Sequence, residues 1–467
     1  MSSNRREFLK WTGLAGAGLA SAGFTEKPIG GEILGNKIPA ADHFNMCGYA
    51  APPLETVRIG FIGLGNRGPD AVARMNRIEG VSIVALCDIR QEKAEAVKRS
   101  LESSKHSPTL YTGSADAWKK LCERNDLDLV YIATPWSLHA PMALHAMNHE
   151  KHACVEVPAC KTIEECWQLV ETSEKTRKHC MILENCCYDF FELLTLNMVR
   201  QGFFGEVVHG EGAYIHDLLA GNFSKTKYYD MWRLKENFRN GNLYPTHGLG
   251  PVAQAMNINR GDKMEWLVSV SSRDSMMAAM ANELAAHDDF YKPFAGKKYR
   301  GNLNVTNIVT NKGNTIMLQH DVTSPNIYSR IYKISGSKGS SLKYPLPGRM
   351  ALGDENWFSQ ETMAELEKKY EPPIVSKLGA MARQVGGHGG MDFLMDWRTI
   401  DCLRNGLPLD IDVYDAASWS SIAPLSESSV ANRSARVAIP DFTSGSWKNN
   451  QPVDNQLQKG ANTKVFV

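Results

Sequence analysis

The sequence predicts an α/β chain: an N-terminal doubly wound parallel sheet, then an α+β domain carrying a large, mainly antiparallel open sheet. Three observations lead there. Short β-branched runs alternate with helical stretches from Val57 to Asn185, a glycine-rich turn joins the first run to its helix, and beyond residue 201 longer strand-like runs follow one another.

In chain order, "VRIGFIGLG" (57–65) reads as a strand and 69–78 as a helix; "VSIVALCD" (81–88) is a strand and 91–103 a helix. "DLVYIATP" (128–135) is a strand before a helix at 137–149, and "ACVEVP" (153–158) a strand before a helix at 163–178 and the strand "CMILEN" (180–185). Near-continuous apolar strands alternating with helices fit a parallel sheet covered on both faces. After a helix at 189–201, "GEVVHGEGAYIH", "EWLVSVSSR", "LNVTNIVTN", "NTIMLQHDV" and "SRIYKISGS" read as strands joined largely by turns, hence mainly antiparallel. Helices at 391–404 and 413–424 are expected to return the chain to the first domain, whereas 344–373 reads as irregular. The domains expected are a leader at 1–30, a nucleotide-binding domain at 55–187, an α+β domain at 188–430 and a polar tail at 431–467.

Gly63-Leu64-Gly65-Asn66-Arg67-Gly68 matches G-x-G-x-x-G between a strand and a helix, the context of a Rossmann dinucleotide site. The first glycine permits a tight turn, the second close approach of a pyrophosphate, and the third close packing of helix on strand. Asp88 ends the next strand, where a carboxylate accepts hydrogen bonds from ribose hydroxyls and repels a 2′-phosphate despite nearby Arg90. The cofactor expected is NAD.

Net charge is +1 with acids and bases interspersed, which leaves no footprint for nucleic acid or an anionic membrane and points to a small-molecule partner. The ten cysteines contain no C-x-x-C pair and read as buried small hydrophobes; no metal is expected. "NRREFLKWTGLAGAGLA" (4–20) has the form of a twin-arginine export signal, too short and glycine-rich to span a bilayer, so a periplasmic chain without membrane insertion is expected.

With these motifs in view the chain resembles the glucose-fructose oxidoreductase/inositol dehydrogenase superfamily. Ordinary members carry Glu-Lys-Pro where this chain has Glu156-Val157-Pro158, and an Asp four residues before the catalytic His where this chain has Leu243 before His247. Within that group the chain resembles the NAD-dependent α-N-acetylgalactosaminidases of glycoside hydrolase family 109. "GLGNRG", "TPWSLHAPMALHAM", "VEVPA", "LENCCYDFFELLTLNMVRQG", "WRLKENFRNGNLYPTHGLGPV" and "GGHGGMDFLMDWR" carry this resemblance. It implies NAD contacts at Asn66, Arg67, Asp88, Trp136, Ser137, Leu138, His139, Glu156, Val157, Asn185 and Arg233. It implies sugar contacts at Tyr214, Tyr244, Pro245, Thr246, His247 and Tyr328. It further implies removal of terminal α-linked N-acetylgalactosamine through transient C3 oxidation, C2 deprotonation, elimination, water addition and re-reduction, outside paired-carboxylate hydrolysis.

The residues themselves agree. Tyr214 and His216 lie two apart on an expected strand and so share a face. Tyr214 is the candidate C2 base if His216 or a cation lowers its pKa, and His247 suits proton exchange at the C3 hydroxyl or the leaving group. Glu156 is assigned to the nicotinamide ribose, His209 to structure, and His388 either to the site or to a glycine turn. The rival readings are an NAD-dependent sugar dehydrogenase, which the missing lysine at Val157 disfavours, and a non-catalytic sugar sensor. The partner expected is a glycan, and a homo-oligomer is compatible.

Overall fold

The computed structural model describes residues 43–353 and 355–466, so the leader expected at 1–30 lies outside the described residues. The first sheet comprises β1 (Val57–Ile62), β2 (Val81–Cys87), β3 (Thr109–Tyr111), β4 (Leu129–Ile132), β5 (His152–Val155) and β6 (Cys180–Ile182). All pairings are parallel and the order is β3-β2-β1-β4-β5-β6. Strand order reverses between β1 and β4, which opens a crevice at the carboxyl ends of the strands. Ile59, Phe61 and Leu129–Ile132 are buried throughout, as a sheet covered on both faces requires. Local signals agree with the helices: Thr162 and Glu165 form a capping box that starts Ile163–Thr176, and Arg177 ends it in the left-handed region.

The second sheet comprises β7 (Val207–Ile215), β8 (Met264–Ser271), β9 (Leu303–Thr310), β10 (Thr315–Asp321), β11 (Lys333–Gly336), β12 (Gly339–Leu342), β13 (Arg349–Leu352) and β14 (Val437–Ala438). Its order is β13-β12-β11-β7-β10-β9-β8-β14, antiparallel except between β7 and β10. Along β9 and β10, Thr306, Ile308, Ile316, Leu318 and His320 are buried while Val305, Asn307, Met317 and Gln319 are not. One face is therefore covered and the other is open.

The helix Val413–Ala431 is buried nearly all round because it lies between the sheets, against β6 and the helix Ile163–Thr176 on one side and β8 on the other. Its small residues admit close approach and its serines accept hydrogen bonds from both halves. Ser420 Oγ takes the Ala159 N–H at 3.1 Å, Ser426 Oγ that of Asn242 at 2.8 Å and Ser429 Oγ that of Ser269 at 2.8 Å. It continues through Pro424, seven residues beyond the expected end. The helix Met391–Asn405 covers β1 and the helix Gly68–Met75.

Other departures have local causes. The β2–β1 half gains the edge strand β3, which the sequence reading omitted. The segment 344–373, expected to be irregular, contains β13 and the helix Gln360–Tyr370, started by the Ser359 side chain on the Thr362 N–H. The strand expected at 329–337 is confined to β11. The tail contributes β14, and Val465 bridges back to Ile78. All ten cysteines are free and nine are buried. Among the described residues no helix is long and apolar enough to cross a membrane.

Candidate active site

The glycine turn sits at the crevice between β1 and β4. Gly63 has φ +91°, and a Cβ there would lie 2.5 Å from the Ala133 carbonyl oxygen. A Cβ on Gly68 would lie 2.0 Å from the Gly63 oxygen, so neither position admits a side chain. At Gly65 the nearest atom to an added Cβ is an Arg90 nitrogen at 3.6 Å, which leaves this backbone face open for a ligand. Asp88 is held by the Leu64 N–H at 2.7 Å and the Arg90 N–H at 2.9 Å, at the end of β2. A glycine cradle at a helix N-terminus with a fixed carboxylate beside it fits a dinucleotide.

Arg67 follows in this turn and is pinned by Glu156 Oε1 at 3.0 Å, Asp392 Oδ2 at 3.2 Å and His388 Nδ1 at 3.1 Å. Asn185 donates to the other Asp392 oxygen at 2.5 Å, and Asn66 donates to the Lys227 carbonyl at 2.9 Å. His388 thus reaches the nucleotide side of the site through Arg67. Trp136 is buried while Ser137 and Leu138 are exposed beside it. His139 differs from its neighbours: Nδ1 lies 2.7 Å from the Pro158 carbonyl oxygen and Nε2 2.8 Å from that of Thr134, so the ring braces the loop. Val157 is buried and offers only an apolar wall.

Trp136 stacks on Tyr244 at 5.5 Å and begins an aromatic cluster that crosses from the first sheet to the second. Tyr214, near the end of β7, lies 4.6 Å from the Tyr244 ring, 5.4 Å from that of His247 and 6.4 Å from that of Tyr328. Its hydroxyl is 3.1 Å from His216 Nδ1, and the His216 ring meets Tyr328 at 5.1 Å. The Arg233 guanidinium lies over Trp136 at 5.5 Å and Tyr244 at 5.4 Å. Burial raises the Tyr214 pKa and Arg233 opposes that shift only in part, so the expected lowering by a cation is outweighed. Burial and Arg233 lower the His216 pKa, which keeps that ring neutral and makes it a weaker proton acceptor than a free histidine.

Backbone packing aims these groups. A Cβ on Gly212 would lie 2.3 Å from the Gly248 oxygen, and one on Gly248 would lie 2.4 Å from the Ala213 nitrogen. The helix Thr246–Ala255 therefore rests backbone to backbone on β7, which sets His247 against Tyr214. Gly248→Ala is expected to destabilise the fold by about 1–3 kcal/mol by overpacking, measured by denaturant unfolding, with activity lost in the folded fraction. Pro245 precedes this helix and buried Thr246 begins it. His320, opposite Tyr214 in the β7–β10 register, accepts the Leu243 N–H at 3.1 Å and so fixes the loop bearing Tyr244.

Glu184 is a site residue that the sequence reading missed. It follows β6, is fully buried, and its Oε1 lies 2.7 Å from His247 Nδ1. Burial alone would raise its pKa, but His247 and the hydrogen bond from the Cys186 N–H at 3.1 Å hold it below the ordinary glutamate value. The carboxylate thus accepts the Nδ1–H and leaves the Nε2 lone pair of His247 free of that bond.

Comparison with known proteins places both halves. Residues 57–184 match the model of the oxidoreductase family, NAD-binding Rossmann fold, and residues 188–449 match that of the glycosyl hydrolase 109 C-terminal domain. The first half is accordingly an NAD-binding domain. A protein named alpha-N-acetylgalactosaminidase from Bacteroides fragilis is 50% identical over 422 residues, 88% of this chain and 97% of that one. Glycosyl hydrolase family 109 protein 1 of Phocaeicola vulgatus is 48% identical over 414 residues, 85% of this chain and 86% of that one. Among solved structures, myo-inositol dehydrogenase from Lactobacillus casei in complex with NAD(H) and myo-inositol has a TM-score of 0.56 at 16% identity. That match spans 83% of this chain and 99% of the other, and it shows a shared fold.

Proposed function

The chain belongs to glycoside hydrolase family 109, and on that premise we propose that it removes terminal α-linked N-acetylgalactosamine from glycans, using NAD as a recycled cofactor. The observation that carries this reading is the Tyr214–His216 contact facing the Glu184–His247 pair, beside a nucleotide turn whose neighbouring wall is Val157 instead of a lysine. Gly63 to Gly68, Asp88, Trp136, Glu156, Asn185 and Arg233 would hold the dinucleotide. When bound, it supplies hydride acceptance from C3 and hydride return, so no outside oxidant is consumed.

His247 exchanges the C3 hydroxyl proton through Nε2, with Glu184 fixing its tautomer. A ketone at C3 makes the C2 hydrogen acidic, and the Tyr214 oxygen, hydrogen-bonded to His216 at 3.1 Å, takes that proton. The group on C1 leaves by elimination as an alkoxide, water adds its hydroxyl to C1 and its proton goes to that alkoxide, Tyr214 returns the proton to C2, and His247 returns the other to the C3 oxygen. Tyr244 and Tyr328 orient the sugar ring. No carboxylate attacks C1.

A chromogenic α-N-acetylgalactosaminide incubated in deuterated water without added NAD is expected to release its aglycone and leave deuterium at C2. Release without C2 exchange would indicate ordinary acid–base hydrolysis. Net NADH without release would indicate a sugar dehydrogenase, and neither signal a sensor.

The twin-arginine motif supports export to the periplasm, a route that carries folded chains with their cofactor already inside. Arg5→Lys/Arg6→Lys is expected to move the protein from the periplasmic to the cytoplasmic fraction on cell fractionation.

A further inference from the structure

At the far end of the helix His139–Asn148, about 9–15 Å along its axis from His139, three metal-ligating side chains converge. His145 and His149 stand one turn apart, and Glu123 follows the neighbouring helix Ala117–Cys122. One ligand atom from each lies within 4.8 Å of the other two. His145 Nε2 is 3.9 Å from Glu123 Oε1, and the two imidazole centroids are 4.1 Å apart.

The state of the two rings suits coordination. His149 Nδ1 donates to the His145 carbonyl oxygen at 2.8 Å, which leaves its Nε2 with a lone pair, the arrangement by which a metal-binding histidine is oriented. His145 Nε2 is sealed from solvent without a hydrogen-bond partner. The Trp118 ring packs edge-on against His145 at 5.2 Å and fixes it.

We infer that Glu123, His145 and His149 form a binding site for a divalent transition-metal ion of the zinc class, with a fourth position open to water. Two imidazoles and one carboxylate suit zinc, whereas calcium and magnesium prefer oxygen ligands throughout. Zinc bonds of about 2.0–2.2 Å need the ligand atoms drawn closer together, and the Glu123 side chain, 52% exposed, is free to swing inward. A bound ion would cross-link the helix that leads into β4 to the helix that leaves it, so its effect would fall on stability and not on the sugar chemistry.

The test is calorimetric titration of ZnCl2 into the EDTA-treated, NAD-containing protein, with thermal melts in parallel. Saturable binding of a single ion and a rise in melting temperature are expected. Both should vanish in His145→Ala/His149→Ala, and affinity should fall at least about tenfold in Glu123→Ala. Cobalt(II) in place of zinc should give visible tetrahedral bands absent from the variants. The other cluster of this kind among the described residues is Glu184–Cys186–His247. Zinc binding that survives both variants unchanged would assign the ion there and overturn the inference, as would no saturable binding to the unaltered chain. Because Glu123 is exposed, its variant retains the fold and keeps the test decisive.

Discussion

His247→Ala is expected to lower kcat by about 10²–10⁴-fold, the usual range for a positioned proton-transfer group, with bound NAD retained when the variant is denatured and its cofactor measured. The side chain meets the Tyr214 and Tyr244 rings and Glu184, none of them part of the glycine turn. Its power depends on Glu184, which fixes Nδ1 at 2.7 Å. Glu184→Gln should therefore cost part of the same activity, and the double variant should be little worse than His247→Ala alone, because two residues acting as one unit are not additive. The Glu184 pKa is lowered on folding, so the stability this pair contributes is present above the unfolded glutamate value of about 4.3 and is lost as pH falls through the lower folded value. Near-wild-type turnover in His247→Ala would remove this residue from the mechanism.

Tyr214→Phe should reduce kcat by a comparable factor, about 10²–10⁴-fold, with KM nearly unchanged, since only a hydroxyl is lost from a ring whose packing is retained. The two variants separate when a 3-keto glycoside is supplied in deuterated water. His247→Ala should still exchange the C2 hydrogen, having been relieved of its task at C3, whereas Tyr214→Phe should not. Exchange by Tyr214→Phe at the normal rate would assign the C2 proton to another group. The resting tyrosine is protonated because burial outweighs Arg233, and His216 at 3.1 Å holds its hydroxyl in place.

What could be read from the sequence followed the strength of the local pattern. β1, β2, β4, β5 and β6 are apolar runs next to unambiguous helices, and their rhythm specified a nucleotide-binding sheet. β3 escaped because it is three half-exposed residues at an edge, with too few positions to show a period. β13 and the helix Gln360–Tyr370 lie among Pro345, Pro347, Pro372 and Pro373, whose turn signals outweighed one short strand and one surface helix with a serine cap. Pro424 signalled a stop that burial between two sheets overrode.

At the site, the glycine turn, Asp88 and the Tyr214–His216 pair were legible from spacing. Tyr244, Tyr328 and Arg233 came from resemblance, because their convergence joins segments far apart in the chain. Glu184 stood next to Asn185 and went unnoticed. The available signal was a carboxylate just past the end of a buried parallel strand, the edge of the sheet where ligands collect. His139 shows the converse: its position beside the site was legible, but its two bonds to backbone carbonyls were not.

The 19-residue helix Val413–Ala431 hydrogen-bonds to backbone groups of both halves and leaves no slack along the seam. A clamshell swing of the two halves would have to break these bonds. Under the proposed function, the lip of the site to vary is the stretch where Ile327 stands 93% exposed next to Tyr328. Efforts to retune which sugars enter belong on that lip, because altering the strut would shift both walls at once.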